Sequence, residues 1–163
     1  MQVVVRRNDL ANPNPVVIAT YNDDIFVDVT TLGLTDDVAT VLTVPASAIS
    51  YPANQPPTLA SSWRDNGAMI TNAEAFRRIE RAFTTYAQRN ANADMIDCVT
   101  KYGADFATWP QDARERKTLA DQGWDYINSV RTQSNALGSN MPVDVTDDSH
   151  WPTEIPRINY PTT

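Results

Sequence analysis

The stretch TNAEAFRRIERAFTTY, residues 71–86, marks the point at which the character of the chain changes. Thr71 and Glu74 have the spacing of a capping box, in which each side chain bonds a backbone N–H at the start of a helix. The large apolar residues that follow recur every three or four positions, as on one face of a helix: Phe76, Ile79, Phe83 and Tyr86. The sequence therefore predicts that a helix begins at Thr71.

Two more helices are predicted downstream. A short one over 93–102 ends at Gly103 and turns four residues inward, Met95, Ile96, Val99 and Tyr102. A longer one begins near Pro110, a favoured first-turn residue, and ends near Gly138. Its predicted core residues are Leu119, Ala120, Trp124, Ile127 and Val130. Gly123 costs a helix about 1 kcal/mol relative to alanine, so we expect a close helix crossing there.

The chain before Thr71 has the composition of strands. Runs rich in valine, isoleucine, threonine and aromatic residues cover 2–6, 15–21, 24–29 and 38–44. Turn-forming residues separate them, and the turn at 22–24 has the composition of a hairpin. The predicted fold class is α+β: a small N-terminal antiparallel β-sheet or sandwich, then a three-helix bundle and an extended C-terminal arm.

Four segments follow from these patterns. Residues 1–50 form a β-rich docking domain, 51–70 a Pro-rich linker or arm, 71–138 a helical domain and 139–163 an extended C-terminal arm. The linker contains Trp63 and Met69, so its second half is expected to contact other residues. The division predicts two folded parts and two extended ones.

The C-terminal arm contains HWPTEIPRINYP, residues 150–161, whose prolines forbid a continuous helix and favour a stiff extended course. Such a segment can present apolar anchors to a partner at low entropic cost. The predicted partner-binding residues are Trp63, Trp151, Ile155, Ile158 and Tyr160. In the alternative the arm folds back on its own helices. In a third arrangement Trp151 binds its own chain and the residues from Ile158 onward bind another.

Charge and hydropathy exclude several classes of partner. The net charge is −7 and no segment is strongly basic, so neither nucleic acid nor an anionic membrane surface is an expected partner. There is no run of 18 apolar residues, so no membrane span is predicted. Cys98 is the single cysteine, which rules out an internal disulfide, and it is interpreted as a small apolar helix residue.

The residues that could carry chemistry do not assemble into a known site. His150 is the single histidine and lacks metal-ligand spacing, so it is interpreted as a surface or interface residue. The pairs Asp23-Asp24, Asp36-Asp37 and Asp147-Asp148 lack the EF-hand pattern and are interpreted as loop acids. Phosphate-binding and nucleophile-elbow motifs are absent. The sequence predicts a protein that is not an enzyme, with no catalytic, cofactor or metal site.

One family resemblance concerns residues 74–156. A helix with basic residues leads to a tyrosine turn, a second helix has a tryptophan and a tyrosine in its core, and a short Trp-Pro element with a further proline follows. The residues that match are Tyr102, Trp109-Pro110, Trp124, Tyr126, Trp151-Pro152 and Pro156. In these features the chain resembles the C-terminal module of tailed-phage tail-fibre-associated and tail-fibre assembly proteins. Residues 1–70 do not resemble the N-terminal part of the assembly proteins.

The resemblance implies a structural protein of a tailed-phage virion, made in the host cytoplasm and present in several copies per particle. Its implied partners are other phage structural proteins of the tail, tail fibre or baseplate. The alternative function is a tail-fibre assembly chaperone. Two other classes stay open: a small enzyme built on His150 and the acids of 144–154, and an inhibitor that binds a host protein.

Overall fold

The computed structural model describes residues 1–22 and 27–161. Its first three strands are β1 (Gln2–Arg6), β2 (Val17–Tyr21) and β3 (Ala39–Thr43), which form an antiparallel sheet in the order β2-β1-β3. Val4 of β1 lies opposite Ala19 on one side and Val41 on the other. The predicted strands at 2–6, 15–21 and 38–44 and the α+β class are confirmed.

The central strand β1 is buried on both faces, which explains its uninterrupted apolar run. Val4 packs in a cluster formed by Val27, Val29, Ala39 and Val41. Val3 and Val5, which point to the opposite face by the alternation of a strand, are also fully buried. A strand covered on both faces reads as a continuous apolar run rather than an alternating one.

The predicted strand at 24–29 has a different outcome. Residues 23–26, with the hairpin turn and Asp23-Asp24, lie outside the described residues. Val27 and Asp28 are in no strand, and Val29–Leu32 is a 3₁₀ helix, so the prediction is wrong for the described end of the run. The Asp28 carboxylate accepts the N–H of Thr30 at 2.9 Å and caps this helix. A local side-chain bond of this kind competes with strand pairing.

The predicted linker at 51–70 contains folded structure. A short antiparallel pair forms between β4 (Ile49–Ser50) and β5 (Thr58–Leu59), and Thr58 also bridges to Val16 beside the start of β2. Trp63 lies in a 3₁₀ helix and is fully buried. The expectation that the second half of this segment packs against other residues is confirmed for Trp63.

Three α-helices follow in the described chain: α1 (Gly67–Ala82), α2 (Thr85–Tyr102) and α3 (Gln111–Ser139). The predicted start at Thr71 is wrong, because α1 begins at Gly67. The Thr71 hydroxyl donates to the carbonyls of Gly67 and Ala68, so it bonds the preceding turn instead of capping the helix. Glu74 is buried inside the helix.

The predicted continuous stripe from Phe76 to Tyr86 is also wrong. The helix stops at Ala82, and a new one begins after Thr84, whose hydroxyl accepts the N–H of Ala87 at 3.2 Å. The break changes the helical phase, so Tyr86 is exposed while Phe83 is fully buried. Phe76, which precedes the break on α1, is also exposed. Threonine is a preferred N-cap residue. Thr84 therefore marks the start of a new helix, at which the apolar spacing of α1 no longer applies.

Replacing Thr84 by alanine should lower the free energy of unfolding by about 1 kcal/mol, because the first turn of α2 loses its cap. Urea denaturation measures the change. Thr100→Ala is the matched control: its hydroxyl bonds the Ile96 carbonyl within α2, and we expect its removal to be close to neutral. Equal losses in the two variants would contradict a capping role for Thr84.

The buried residues of α2 are small or polar rather than large and apolar. Ile96 and Val99, predicted to face inward, are exposed, so that part of the prediction is wrong. Cys98 is buried with Trp109 and Ala113, and Met95 and Tyr102 pack against this cluster. The interpretation of Cys98 as a small core residue is confirmed.

The core face of α3 is largely as predicted. Ala120, Ile127 and Val130 are buried, and Trp124 is half-buried. The Trp124 ring meets the Phe83 ring edge-on, with centroids 5.7 Å apart. A Cβ on Gly123 would stand 2.2 Å from Phe83 Cδ1. The glycine therefore admits an aromatic ring, where the sequence predicted a helix crossing.

A close approach between α1 and α3 lies near the end of α3. A Cβ on Gly138 would lie 3.4 Å from Ala68 Cα and 3.2 Å from Thr71 Oγ1. Ser134, one turn earlier, donates to the Asn72 side chain at 2.9 Å. Small residues on both helices bring the two backbones together here.

The fold divides into two units that do not follow the four predicted segments. The first unit contains Met1–Ala75 and Thr132–Trp151, and the second contains Phe76–Arg131 and the chain from Pro152 onward. The predicted helical domain at 71–138 and the predicted arm at 139–163 each contribute to both units. Helices α1 and α3 each supply residues to both units.

Candidate interaction groove

The last part of the chain crosses the second unit as an extended arm, which we define as residues 152–161. It has no regular secondary structure. Pro152, Pro156 and Pro161 fix φ and remove backbone donors, which favours this course. Among the described residues its one backbone–backbone hydrogen bond runs from the Ile158 N–H to the Ala82 carbonyl, at 2.7 Å.

A buried polar network holds the end of the arm. The Tyr160 hydroxyl donates to the Asp94 carboxylate at 2.6 Å, and Arg116 Nε donates to the same oxygen at 2.8 Å. Arg116 also binds Asp112 at 2.9 Å, and its other nitrogen approaches Cys98 Sγ at 3.7 Å. The network joins α2, α3 and the arm through one carboxylate.

The hydrogen bonds in this network favour the charged form of Asp94. Burial on its own would raise the pKa of Asp94, but the hydrogen bonds from Arg116 and Tyr160 outweigh it and hold the pKa below 3.8. Burial and the bond to Asp94 raise the pKa of Tyr160. The hydrogen bonds to Asp94 and Asp112 raise the pKa of Arg116. The network therefore holds a carboxylate, a neutral phenol and a guanidinium at neutral pH.

Replacing Tyr160 by phenylalanine should lower the free energy of unfolding by about 1.5–3 kcal/mol, because a hydrogen bond to a buried charge is lost while the ring is kept. We also expect faster proteolysis within the arm. Tyr86→Phe is the matched control, since Tyr86 is exposed. Equal stability and equal arm cleavage in both variants would contradict an anchoring role for Tyr160.

A groove of about 680 Å³ lies between the arm and α3, entirely within the second unit. One wall is a helical face at intervals of three or four residues: Leu119, Gln122, Tyr126 and Ser129, with Asp125 beside them. The other wall is the arm from Pro152 and Thr153 to Asn159. The volume is in the range of about 300–1,000 Å³ that is typical of ligand pockets.

Two exposed residues of the arm, Arg157 and Asn159, line the groove on either side of Ile158. Their N–H groups make no backbone–backbone hydrogen bond in the described part of the chain.

The predicted partner-binding residues divide into two groups. Trp63, Trp151, Ile158 and Tyr160 are buried within the chain, so this conformation does not offer them to a partner. Ile155 is half-buried and lines the groove. From Pro152 to Pro161 the arm follows the fold-back alternative. The arrangement with Ile158 and Tyr160 on another chain does not describe this conformation.

Trp151 belongs to the first unit. Its indole N–H donates to the Val145 carbonyl at 2.6 Å, and Thr146 bonds Thr40 of β3 at 2.7 Å. Asp144 pairs with Arg7, which also bonds Thr146. These contacts hold residues 144–151 within the first unit.

His150 and the neighbouring acids form local structure. Asp147 accepts the Ser149 N–H at 2.9 Å and caps the 3₁₀ helix Asp148–His150. The backbone bond to Ser149 lowers the pKa of Asp147. Within residues 1–22 and 27–161 no group of three or more histidine, cysteine, aspartate or glutamate side chains is placed to hold a metal ion.

The sequence interpretation missed Asp94 and Arg116, the two residues at the centre of the network. Asp112 and Arg116 are four residues apart on α3, which signals a helical ion pair. Asp94, however, lies 22 residues before Arg116 and 66 before Tyr160. Contacts at this separation leave no spacing signal in a single sequence.

Comparisons with family models, with curated proteins and with solved structures found no match to this chain. Among the helices of the described residues, none combines the length and apolar character required to cross a membrane.

Proposed function

We propose that this chain is a non-enzymatic structural protein of a tailed-phage virion, a tail or tail-fibre-associated adaptor that binds neighbouring virion proteins. The observation that carries the proposal is the groove of about 680 Å³ between the extended arm and α3, a shape that suits protein recognition. The aromatic and proline motifs at 102–156 add the family resemblance.

Exposed apolar side chains in each unit support the adaptor role. The first unit exposes Val16, Ile18 and Tyr51. The second unit exposes Phe76, Tyr86 and Ile96, the last of these 66% exposed. Aromatic and aliphatic side chains of this kind are frequent anchors at protein interfaces. An adaptor requires one contact surface for each neighbour, and each unit offers candidates.

Mass spectrometry of gradient-purified, salt-washed particles tests the proposal. We expect the protein to remain in the particles at a constant molar ratio to the major tail or capsid protein through successive washes. Presence in the infected-cell lysate with absence from particles would support the assembly chaperone instead. A protein that leaves the particles in proportion to washing would contradict the virion role.

A further inference from the structure

We propose that neighbouring copies of this chain exchange their arms, so that Ile158 and Tyr160 of one copy fill the site on another copy that they fill here within their own chain. The partner at this surface is therefore a second copy, which contributes two residues to the site around Asp94. The inference rests on the proposed function, because that function places several copies close together in one particle.

The contacts that hold the arm are concentrated at its end. The side chains of Ile158 and Tyr160 are each 6% exposed, and we call these two residues the anchor. The N–H of Ile158 donates to the Ala82 carbonyl at 2.7 Å. The hydroxyl of Tyr160 donates to the Asp94 carboxylate at 2.6 Å. Both acceptors lie in the second unit, so a second copy presents the same receiving site to an arm from outside.

Residues 152–157, which we call the tether, are held weakly. Four of these six residues are exposed and the other two are half-buried. The tether borders the groove, so its packing against α3 is incomplete. Its ion pair, Glu154 with Arg81 at 3.2 Å, is exposed and adds little stability. Six extended residues span about 20 Å, so the tether can follow a new course to another copy and lose few contacts.

The distribution of charge favours contact between copies at the second unit. That unit, 76–131 with 152–163, contains ten basic and nine acidic side chains, a net charge of +1. The first unit contains three basic and eleven acidic side chains, a net charge of −8, and two such surfaces repel each other. Because the arm and its receiving site both belong to the second unit, exchange joins copies where this repulsion is smallest.

The concentration of the protein determines whether the arm is closed or exchanged. The anchor makes the same contacts in both states, so the contact energies are similar. A short tether gives the site on the same chain an effective concentration in the millimolar range, so the isolated protein keeps its arm closed. Exchange becomes competitive when copies are held at a similar concentration. A copy that gives away its arm has an empty site, so exchange is reciprocal and closes into a dimer or a ring.

Isotope mixing of the full-length protein tests the exchange. Labelled and unlabelled protein, each carrying the photo-crosslinker p-benzoylphenylalanine in place of the exposed Arg157, are mixed in equal amounts. Crosslinks from the arm to α1, α2 or α3 that join a labelled to an unlabelled peptide report exchange. We expect their fraction to rise at least tenfold between about 1 μM and about 1 mM protein. Adding Tyr160→Asp, which damages the anchor, should abolish the rise.

Two full-length variants give an independent readout. Asp94→Asn has an intact arm and a damaged site, and Tyr160→Asp has an intact site and a damaged arm. We expect light scattering to show monomers for each alone and a one-to-one heterodimer for the mixture. The control replaces Asp94→Asn by the double variant with both changes, and this mixture should stay monomeric. If Asp94→Asn does not fold, isotope mixing decides alone, because it keeps Asp94.

Two results would overturn the proposal. The first is a fraction of mixed crosslinks that does not rise with concentration, or that rises equally with Tyr160→Asp. The second is a mixture of folded variants that stays monomeric, or a control mixture that associates as strongly. Absence of exchange in a protein retained by washed particles leaves the proposed function intact. Exchange in a protein that is absent from washed particles leaves the arm exchange intact and removes the virion role.

Discussion

Replacing Asp94 by alanine should lower the free energy of unfolding by about 3 kcal/mol. The change leaves Arg116 without its partner at 2.8 Å and Tyr160 without its acceptor at 2.6 Å. Removing one member of a buried ion pair costs about 3–5 kcal/mol, and we take the lower end because Arg116 keeps Asp112. Urea denaturation monitored by circular dichroism measures the loss.

Asp97→Ala is the matched control for this variant, since Asp97 is an exposed aspartate on the same helix. It should change the free energy of unfolding by less than about 0.5 kcal/mol. We also expect limited proteolysis to cut the arm faster in Asp94→Ala than in Asp97→Ala. Similar denaturation midpoints for the two variants would show that the network does not anchor the arm.

The acid dependence of stability offers a second readout of the same network. The folded pKa of Asp94 lies below its usual 3.8, because hydrogen bonds from Arg116 and Tyr160 outweigh burial. A carboxyl with a lowered folded pKa stabilises the fold above its unfolded pKa and loses that contribution as pH falls through the folded value. The stability difference between wild type and Asp94→Asn should therefore be constant above about pH 5 and shrink below about pH 4.

Replacing Gly123 by alanine should lower the free energy of unfolding by about 2 kcal/mol or more, although alanine is the better helix former by about 1 kcal/mol. The new Cβ would lie 2.2 Å from Phe83 Cδ1 and 2.4 Å from Cε1. Phe83 is fully buried, so its ring has no solvent-side space to move into. Thermal and urea denaturation measure the loss.

The Phe83→Ala variant allows the effect of Gly123→Ala on helix propensity to be measured without the clash against the Phe83 ring. Phe83→Ala alone should cost about 3–5 kcal/mol through the cavity that it leaves. In that background Gly123→Ala should be neutral or stabilising by up to about 1 kcal/mol, because the ring is gone and propensity alone acts. A stabilising effect of Gly123→Ala with Phe83 present would show that the ring does not contact this position.

The parts of the fold that the sequence predicted depend on local patterns. Strands β1, β2 and β3 follow from short apolar runs between turns, and α3 follows from Pro110, a helical period and Gly138. The predicted helix start at Thr71 was wrong because the capping-box residues lie inside a helix that begins at Gly67. The stripe through Tyr86 was wrong because the cap at Thr84 resets the helical phase.

The candidate site was predicted only in part. The proline pattern indicated an extended arm and selected Ile155, which lines the groove, but it did not indicate that Ile158 and Tyr160 would be buried in the same chain. The deciding partner of Tyr160 is Asp94, an ordinary helix residue by its sequence neighbours. Its role depends on which side of α2 faces the arm.

The sequence by itself determined the α+β class, the composition of the sheet and the extended course of the arm, since each depends on residues within a few positions of one another. The tertiary structure decided where the arm ends, which faces of α2 are buried and that Gly123 admits the Phe83 ring. The physical reason is that a buried carboxylate is stable only where donors converge on it, and at Asp94 those donors come from residues 22 and 66 positions away.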